Sequence, residues 1–175
     1  MVRMDKIWLV NDTYFIKILS PKEIYSVQDL WERCSDFSML VEGRPPDKNA
    51  GHGVFFDLPP NKSIEDKLVF GAYNEESSLV AVMEIVKDYK EVGEWIIGLM
   101  MLDPKERGQG LGKKLHEFIK DYAGEHHADK LRLAVVEENQ RAYGFWNKMG
   151  YKEIERVNKM YGLKEHVVMV MNLII

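Results

Sequence analysis

A strand, a glycine-rich turn and a helix follow one another between Trp95 and Gly124, and this run restricts the chain to few folds. Trp95–Leu102 is apolar and strand-like, and about Gly110 to Gly124 reads as an amphipathic helix. Between them runs Asp103-Pro104-Lys105-Glu106-Arg107-Gly108-Gln109-Gly110-Leu111-Gly112-Lys113. Glycines at the alternate positions 108, 110 and 112 leave backbone N–H groups unshielded at a helix N-terminus. The first helical N–H groups have no intrahelical partner, and the helix dipole favours negative charge there. The run reads as an anion cradle, suited to a phosphate or pyrophosphate. The alternative is a glycine-rich strand-to-helix turn without a ligand.

The spacing excludes two familiar phosphate loops. A P-loop needs G-x-x-x-x-G-K-[ST], but counting back from Gly112-Lys113 puts Arg107 at the first glycine and Lys114 at the Ser/Thr position. A dinucleotide fingerprint needs G-x-G-x-x-G, and its third glycine position is Lys113. What remains, Arg107-x-x-Gly110-x-Gly112, resembles the coenzyme A pyrophosphate loop, Q/R-x-x-G-x-G/A, of the GNAT superfamily of N-acetyltransferases. A second segment, Asn139 to Tyr151, is similar to that family's C-terminal signature, N-x-x-A-x-x-[LF]-Y-x-K-x-G-[FY]. Asn139, Ala142, Phe145, Lys148, Gly150 and Tyr151 match it, and Trp146 stands where the family usually places tyrosine. The two motifs are in the family's order. The resemblance extends from about Phe15 to Leu173, with its specific part in Trp95–Tyr151.

The 175 residues suit a single domain, expected over 1–175 with residues 1–13 as a possible N-terminal extension. The 46% hydrophobic content is ample for a core. A net charge of −4 argues against a nucleic-acid partner, which calls for a basic surface. One cysteine, Cys34, excludes an intramolecular disulfide and reads as a buried filler in a helix. No signal pattern and no apolar run near 18 residues is present, so no membrane partner is expected and the cytoplasm is the expected compartment. His126-His127 invites a metal reading, but adjacent helical residues do not converge on one ion; no metal is expected.

The pattern predicts an α/β fold of mixed strand direction. Tyr14–Leu19 reads as a strand, then Ser20-Pro21 caps a helix running to about Leu40. Gly43 to Gly53 reads as a loop and Val54–Leu58 as a short element. Leu68–Tyr73, Leu79–Lys87 and Trp95–Leu102 form an antiparallel meander joined by hairpin-sized links. Leu131–Val136 is a near-continuous apolar strand, as a buried parallel strand requires. Gln140 to Met149 is a helix that Gly150 stops, and Tyr151–Ile154 and Val167–Ile174 are closing strands.

The resemblance implies a single-domain GNAT-like mixed sheet with splayed central parallel strands and flanking helices. Acetyl-CoA would lie between Trp95–Leu102 and Leu131–Val136, its pantetheine arm pairing with the backbone near Leu102. Met101 is expected to offer an N–H to the thioester oxygen. Arg107, Gly108, Gln109, Gly110, Gly112 and Lys113 would hold the pyrophosphate, with Arg107 alternatively a solvated surface arginine. Asn139 is a candidate amide partner for pantetheine or an N-cap, and Trp146 a further CoA contact.

The implied reaction is direct transfer of an acetyl group to an amine acceptor. Removing the amine's proton needs a base. Glu84, amid Val82, Met83, Ile85 and Val86, is the candidate, although strand alternation also allows it to face solvent; His52 is a weaker one. With Trp146 at the family's tyrosine position, Tyr143 is the candidate acid, its alternative being a packing aromatic. Gly43–Gly53 and Val157–Glu165 are expected pocket walls by analogy, through Arg44, Asp47, Lys48, His52, Lys159, Tyr161 and Glu165. The apolar C-terminal strand is a possible homodimer contact. The alternative function is a CoA-binding sensor or regulatory module without turnover.

Overall fold

Pairing between strands, more than helix packing, sets this architecture. The computed structural model describes residues 6–175. Its strands are β1 (Ile7–Leu9), β2 (Phe15–Ile18), β3 (Lys67–Tyr73), β4 (Leu79–Val86), β5 (Glu94–Leu102), β6 (Lys130–Val136), β7 (Lys152–Tyr161) and β8 (Lys164–Ile174). They form one sheet in the order β1-β2-β3-β4-β5-β6-β8-β7. All neighbours are antiparallel except β5 and β6. Part of the expected N-terminal extension is therefore a strand of this sheet, with Ile7 opposite Lys17.

The sheet carries helices on both faces. On one lie α4 (Leu111–Glu125) and α5 (Gln140–Lys148). Leu111, Leu115, Ile119 and Ala123 recur every four residues, so a single stripe of α4 is buried. Full burial of a leucine or isoleucine contributes about 1.5–3 kcal/mol. On the other face lie α1 (Ile24–Arg33) and α3 (Ala50–Phe56), with α2 (Ser35–Glu42) joining them. β4 alternates between the two cores, sending Ala81, Met83 and Ile85 to one and Val82 to the other.

Three elements differ from the sequence reading. The helix expected from Ile24 to Leu40 breaks at Cys34, which leaves helical geometry at φ −97° and ψ 31°. The break turns the Cys34 thiol onto the Leu102 carbonyl at 3.2 Å and lets Arg33 reach Asp103. The expected Gly43–Gly53 loop ends in helix, because α3 begins at Ala50. Its glycine is used for close packing: a Cβ on Gly51 would lie 2.7 Å from the Ile24 carbonyl. The segment expected as a pocket wall, Val157–Glu165, is mostly strand, with β7 and β8 turning at Gly162 (φ +56°). β8 lies between β6 and β7, so the apolar C-terminal strand is an interior strand of the sheet.

Phe70 is fully buried and meets Trp8, Phe118 and Tyr122 edge to face, with centroids 5.0–6.0 Å away. Phe70→Ala is expected to lower the unfolding free energy by about 3–5 kcal/mol in urea titration. A loss under about 1 kcal/mol would show that this cluster is not a keystone of the core.

Candidate active-site cleft

The parallel pair β5–β6 begins as a ladder and then comes apart. Glu94, Trp95 and Ile96 pair with Lys130, Leu131 and Arg132, and no pairing continues beyond them. β5 stays bound to β4, and β6 to β8, along their remaining lengths. The two strands therefore diverge, with Ile97–Leu102 on one side and Leu133–Val136 on the other. Charge pins the narrow end: the buried Glu94 carboxylate lies 3.7 Å from Lys130 and 3.6 Å from Arg132. The gap is a cleft of about 1120 Å³ that reaches the 108–113 loop at one end and α2 at the other.

Divergence exposes backbone groups that need partners. The phase of the β4–β5 ladder decides which. The Asp103 N–H donates to Val80 at 2.8 Å, so alternation turns Met101 toward β4 and turns Leu102 and Met100 toward the cleft. The expectation for Met101 is thus corrected: its N–H serves the sheet, and its side chain is buried in the α1–α3 core. Leu102 does face the cleft, but its carbonyl is already engaged by Arg107 Nε at 3.0 Å and by Cys34. Its N–H is the group left for a ligand.

The loop has the geometry of a cradle. Gly108 and Gly110 adopt φ of +76° and +85°, and a Cβ on either would meet nothing within 4 Å. Both need glycine for their backbone angle, and both face open space. Gly110 is the N-cap of α4 and provides no side-chain cap. Gly112 differs, because a Cβ there would touch the Phe145 ring at 3.4 Å. Lys113, Arg141 and Lys148 add positive charge to the lining of the same cleft. Gln109 does not line the cleft, and its side chain donates back to the Lys105 carbonyl at 2.9 Å.

Arg107 is not aimed at this cradle. Its guanidinium holds Asp36 at 2.5 and 3.2 Å, anchoring α2 to the loop. The hydrogen bond from Arg107 keeps the Asp36 carboxyl below its ordinary range. It is not the solvated arginine of the sequence reading, since its side chain is partly buried in this ion pair.

Three further candidates are placed as follows. Asn139 caps α5, its Oδ1 accepting from Ala142 N at 3.1 Å, and it also lines the cleft. Trp146 lines the cleft while packing on His116, Tyr151 and Phe145. Tyr143 does not line it and packs against the α4–α5 core. Successive helical residues are about 100° apart, so Tyr143 lies about 60° round α5 from Trp146, beyond the cleft-facing arc.

Glu84 neither faces solvent nor lines the cleft directly. Its carboxylate is 3.2 Å from the buried Lys67 ammonium, which also donates to the Asp57 carbonyl. Burial raises the Glu84 pKa, and Lys67 opposes the rise. Opposite Glu84, β5 carries a bulge: Leu99 pairs with Glu84 and Ile97 with Ile85, leaving Gly98 as the extra residue. A Cβ on Gly98 would lie 2.9 Å from Glu84 Oε1, and Gly98 lines the cleft. The missing side chain at Gly98 thus brings the carboxylate next to a cleft-lining residue. A glycine inside an apolar strand is the sequence signal for such a bulge; nothing comparable marks Lys67.

Sequence reasoning also missed Asp36, Phe37, Leu40 and Val41 of α2, which line the cleft. Of the expected wall residues, Tyr161 lines it, whereas Arg44, Asp47, Lys48, His52, Lys159 and Glu165 do not. His52 packs against Phe56 at the surface, ring centroids 4.5 Å apart and tilted by 31°.

A splayed parallel pair with a glycine-rich loop at its head defines a class of fold, and comparison with known proteins agrees. The chain belongs to the acetyltransferase (GNAT) family, whose model matches residues 24–151. A curated relative, the uncharacterized N-acetyltransferase YobR of Bacillus subtilis (strain 168), is 23% identical over 121 residues. That match covers 68% of this chain and 45% of the relative, so the chain spans less than half of that relative's length. Among solved structures, the ribosomal-protein-S18-alanine N-acetyltransferase of Escherichia coli superposes with a TM-score of 0.70 at 18% identity, covering 93% of this chain and 94% of its own. The spermidine N-acetyltransferase of Vibrio cholerae, solved with CoA and spermine, gives 0.67 at 14% identity, covering 94% and 96%. Family membership supports acetyl transfer as the general chemistry. Among the described residues, no helix is long and apolar enough to cross a membrane.

The Asp36–Arg107 pair is open to a direct test. Asp36→Ala is expected to cost about 1 kcal/mol, typical of a partly exposed pair, and to speed amide exchange in Phe37–Glu42. Because the folded pKa of Asp36 is depressed, the pair's contribution is present above the ordinary aspartate range and is lost as pH falls below it. Unchanged stability and exchange at neutral pH would show that Arg107 does not anchor α2.

Proposed function

We propose that this chain is an acetyl-CoA-dependent N-acetyltransferase that passes the acetyl group directly to an amine. The observation that carries the reading is the β5–β6 divergence with the Gly108–Lys113 cradle at its head. N–H groups of that run, with Lys113 and Arg141 nearby, take the pyrophosphate of CoA. Leu102 and Met100 offer backbone groups to the pantetheine arm, and Asn139 offers its side-chain amide. Donors fixed at this strand end also meet the negative charge that develops on the thioester oxygen.

The amine must lose a proton to attack. Glu84 is our candidate base, reached through the gap that Gly98 leaves at the bulge, with a water carrying the proton. Lys67 holds the carboxylate in place, and burial moves its pKa toward neutrality, where a base is effective. For the leaving sulfur, Tyr143 packs against the α4–α5 core and is not among the cleft-lining residues, which argues against it as proton donor. The phenol on the cleft wall is Tyr161, which burial keeps protonated. A second reading, a CoA-binding regulatory module without turnover, is favoured by one observation: Trp146 has no acidic proton to offer at the family's tyrosine position. Steady-state CoA release with a panel of amines separates the two.

Gly110→Val should weaken acetyl-CoA binding at least tenfold in calorimetry, about 1.4 kcal/mol. Gly124→Ala, at the far end of α4 where a Cβ also meets nothing, should leave it unchanged. Equal affinities in both folded variants would rule out the cradle as the pyrophosphate site.

Glu84→Gln should lower kcat by on the order of 10²-fold with acetyl-CoA affinity retained. The wild-type rate should fall as pH drops through the raised Glu84 pKa, and the variant should lose that limb. A loss under about threefold would exclude Glu84 as the base.

A further inference from the structure

The cleft's lining comes from both faces of the sheet. The cradle, α4 and α5 lie on one face; α2 and Tyr161 close the cleft on the other, where the β7–β8 hairpin is tied to α2 by Leu163 N to Glu42 O and His166 Nε2 to Val41 O, 2.8 and 2.7 Å. With CoA entering from the cradle side, the acceptor arrives under α2. The wall there is Phe37, Leu40 and Val41 of α2, Leu99 of β5, Val168 of β8 and the Tyr161 phenol.

Two carboxylates border this wall, and both are already committed. Asp36 is held by two guanidinium nitrogens of Arg107. Glu138 accepts from Lys164 Nζ at 3.0 Å and lies 3.5 Å from His166 Nδ1. These partners depress the pKa of both acids, Asp36 through Arg107 and Glu138 through Lys164. Each is therefore ionised and neutralised by the chain's own cations. A second ammonium group on an acceptor would have to leave water for an apolar wall without a free counter-charge, which is costly. A hydrocarbon or aromatic body would bury its surface there with gain.

We propose that the acceptor is a monoamine on an apolar body, of the arylalkylamine or branched alkylamine class, and that polyamines and small hydroxylated amines are poor acceptors. The proposal rests on the transferase reading. It assigns α2 as the element that selects the acceptor, with Leu40 and Phe37 as its specificity-determining residues.

The test uses phenethylamine, isoamylamine, spermidine and ethanolamine with the full chain and acetyl-CoA. kcat/KM for phenethylamine should exceed that for spermidine and ethanolamine at least tenfold. Leu40→Glu, which puts an uncommitted carboxylate on the wall, should reduce the phenethylamine value at least tenfold and narrow the gap to spermidine. Acetyl-CoA affinity, read by calorimetry, should stay within threefold of wild type. Calorimetric binding of phenethylamine and spermidine to the CoA-loaded protein tests the wall without turnover. Tighter binding of spermidine, no binding of phenethylamine, or equal kcat/KM values would overturn the acceptor class alone. Failure of acetyl-CoA itself to bind would overturn the transferase reading instead.

Discussion

The rest of the structure depends on a ladder that stops after three residue pairs. β5 and β6 are parallel neighbours, yet they hold each other only from Glu94 and Lys130 to Ile96 and Arg132. Each is then claimed by a longer antiparallel partner, β4 on one side and β8 on the other. The bulge at Gly98 adds a residue to β5 as the strands part. Parting leaves N–H and C=O groups facing a cleft, and each such group costs about 1–3 kcal/mol if buried without a partner. The fold thus carries a standing demand for an extended, hydrogen-bonding ligand. Under the proposed function, the two amides of a pantetheine arm would meet that demand as a strand would.

Charge divides the cleft into two unlike ends. At the head of α4, backbone N–H groups face the space, and Lys113 of α4 with Arg141 and Lys148 of α5 line the same cleft. At α2, Asp36 and Glu138 are bound by Arg107 and Lys164. One guanidinium links the two ends, since Arg107 spans the Leu102 carbonyl on β5 and Asp36 on α2. Under the proposed function, the loop that would meet phosphate also holds the wall under which the acceptor would sit.

Much of this was legible in the chain because it is local. The strand, the glycines and the amphipathic period of α4 lie within one stretch of sequence, and so does the Asn139 cap. What was not legible depends on contacts far apart in sequence. Arg107 looked like a phosphate ligand until Asp36, 71 positions away, appeared beside it. Met101 looked available until the phase of the β4–β5 ladder turned its N–H inward. Tyr143 shares a helix with Trp146, but a three-residue offset on a curved surface was enough to remove it from the cleft. Two glycines argued against helix at α3, and close approach to α1 overrode that local preference. Glu84 was visible as a carboxylate among apolar residues, whereas Lys67, which makes its burial tolerable, left no mark in the pattern.

The most direct test of the account is a crystal structure with acetyl-CoA bound. The pyrophosphate is expected within hydrogen-bonding distance of N–H groups in the 108–113 run. The pantetheine arm is expected alongside Met100–Leu102, with Arg107 still on Asp36. Acetyl-CoA bound outside the β5–β6 gap, or its phosphates held by Arg107 with the glycine loop empty, would contradict this placement.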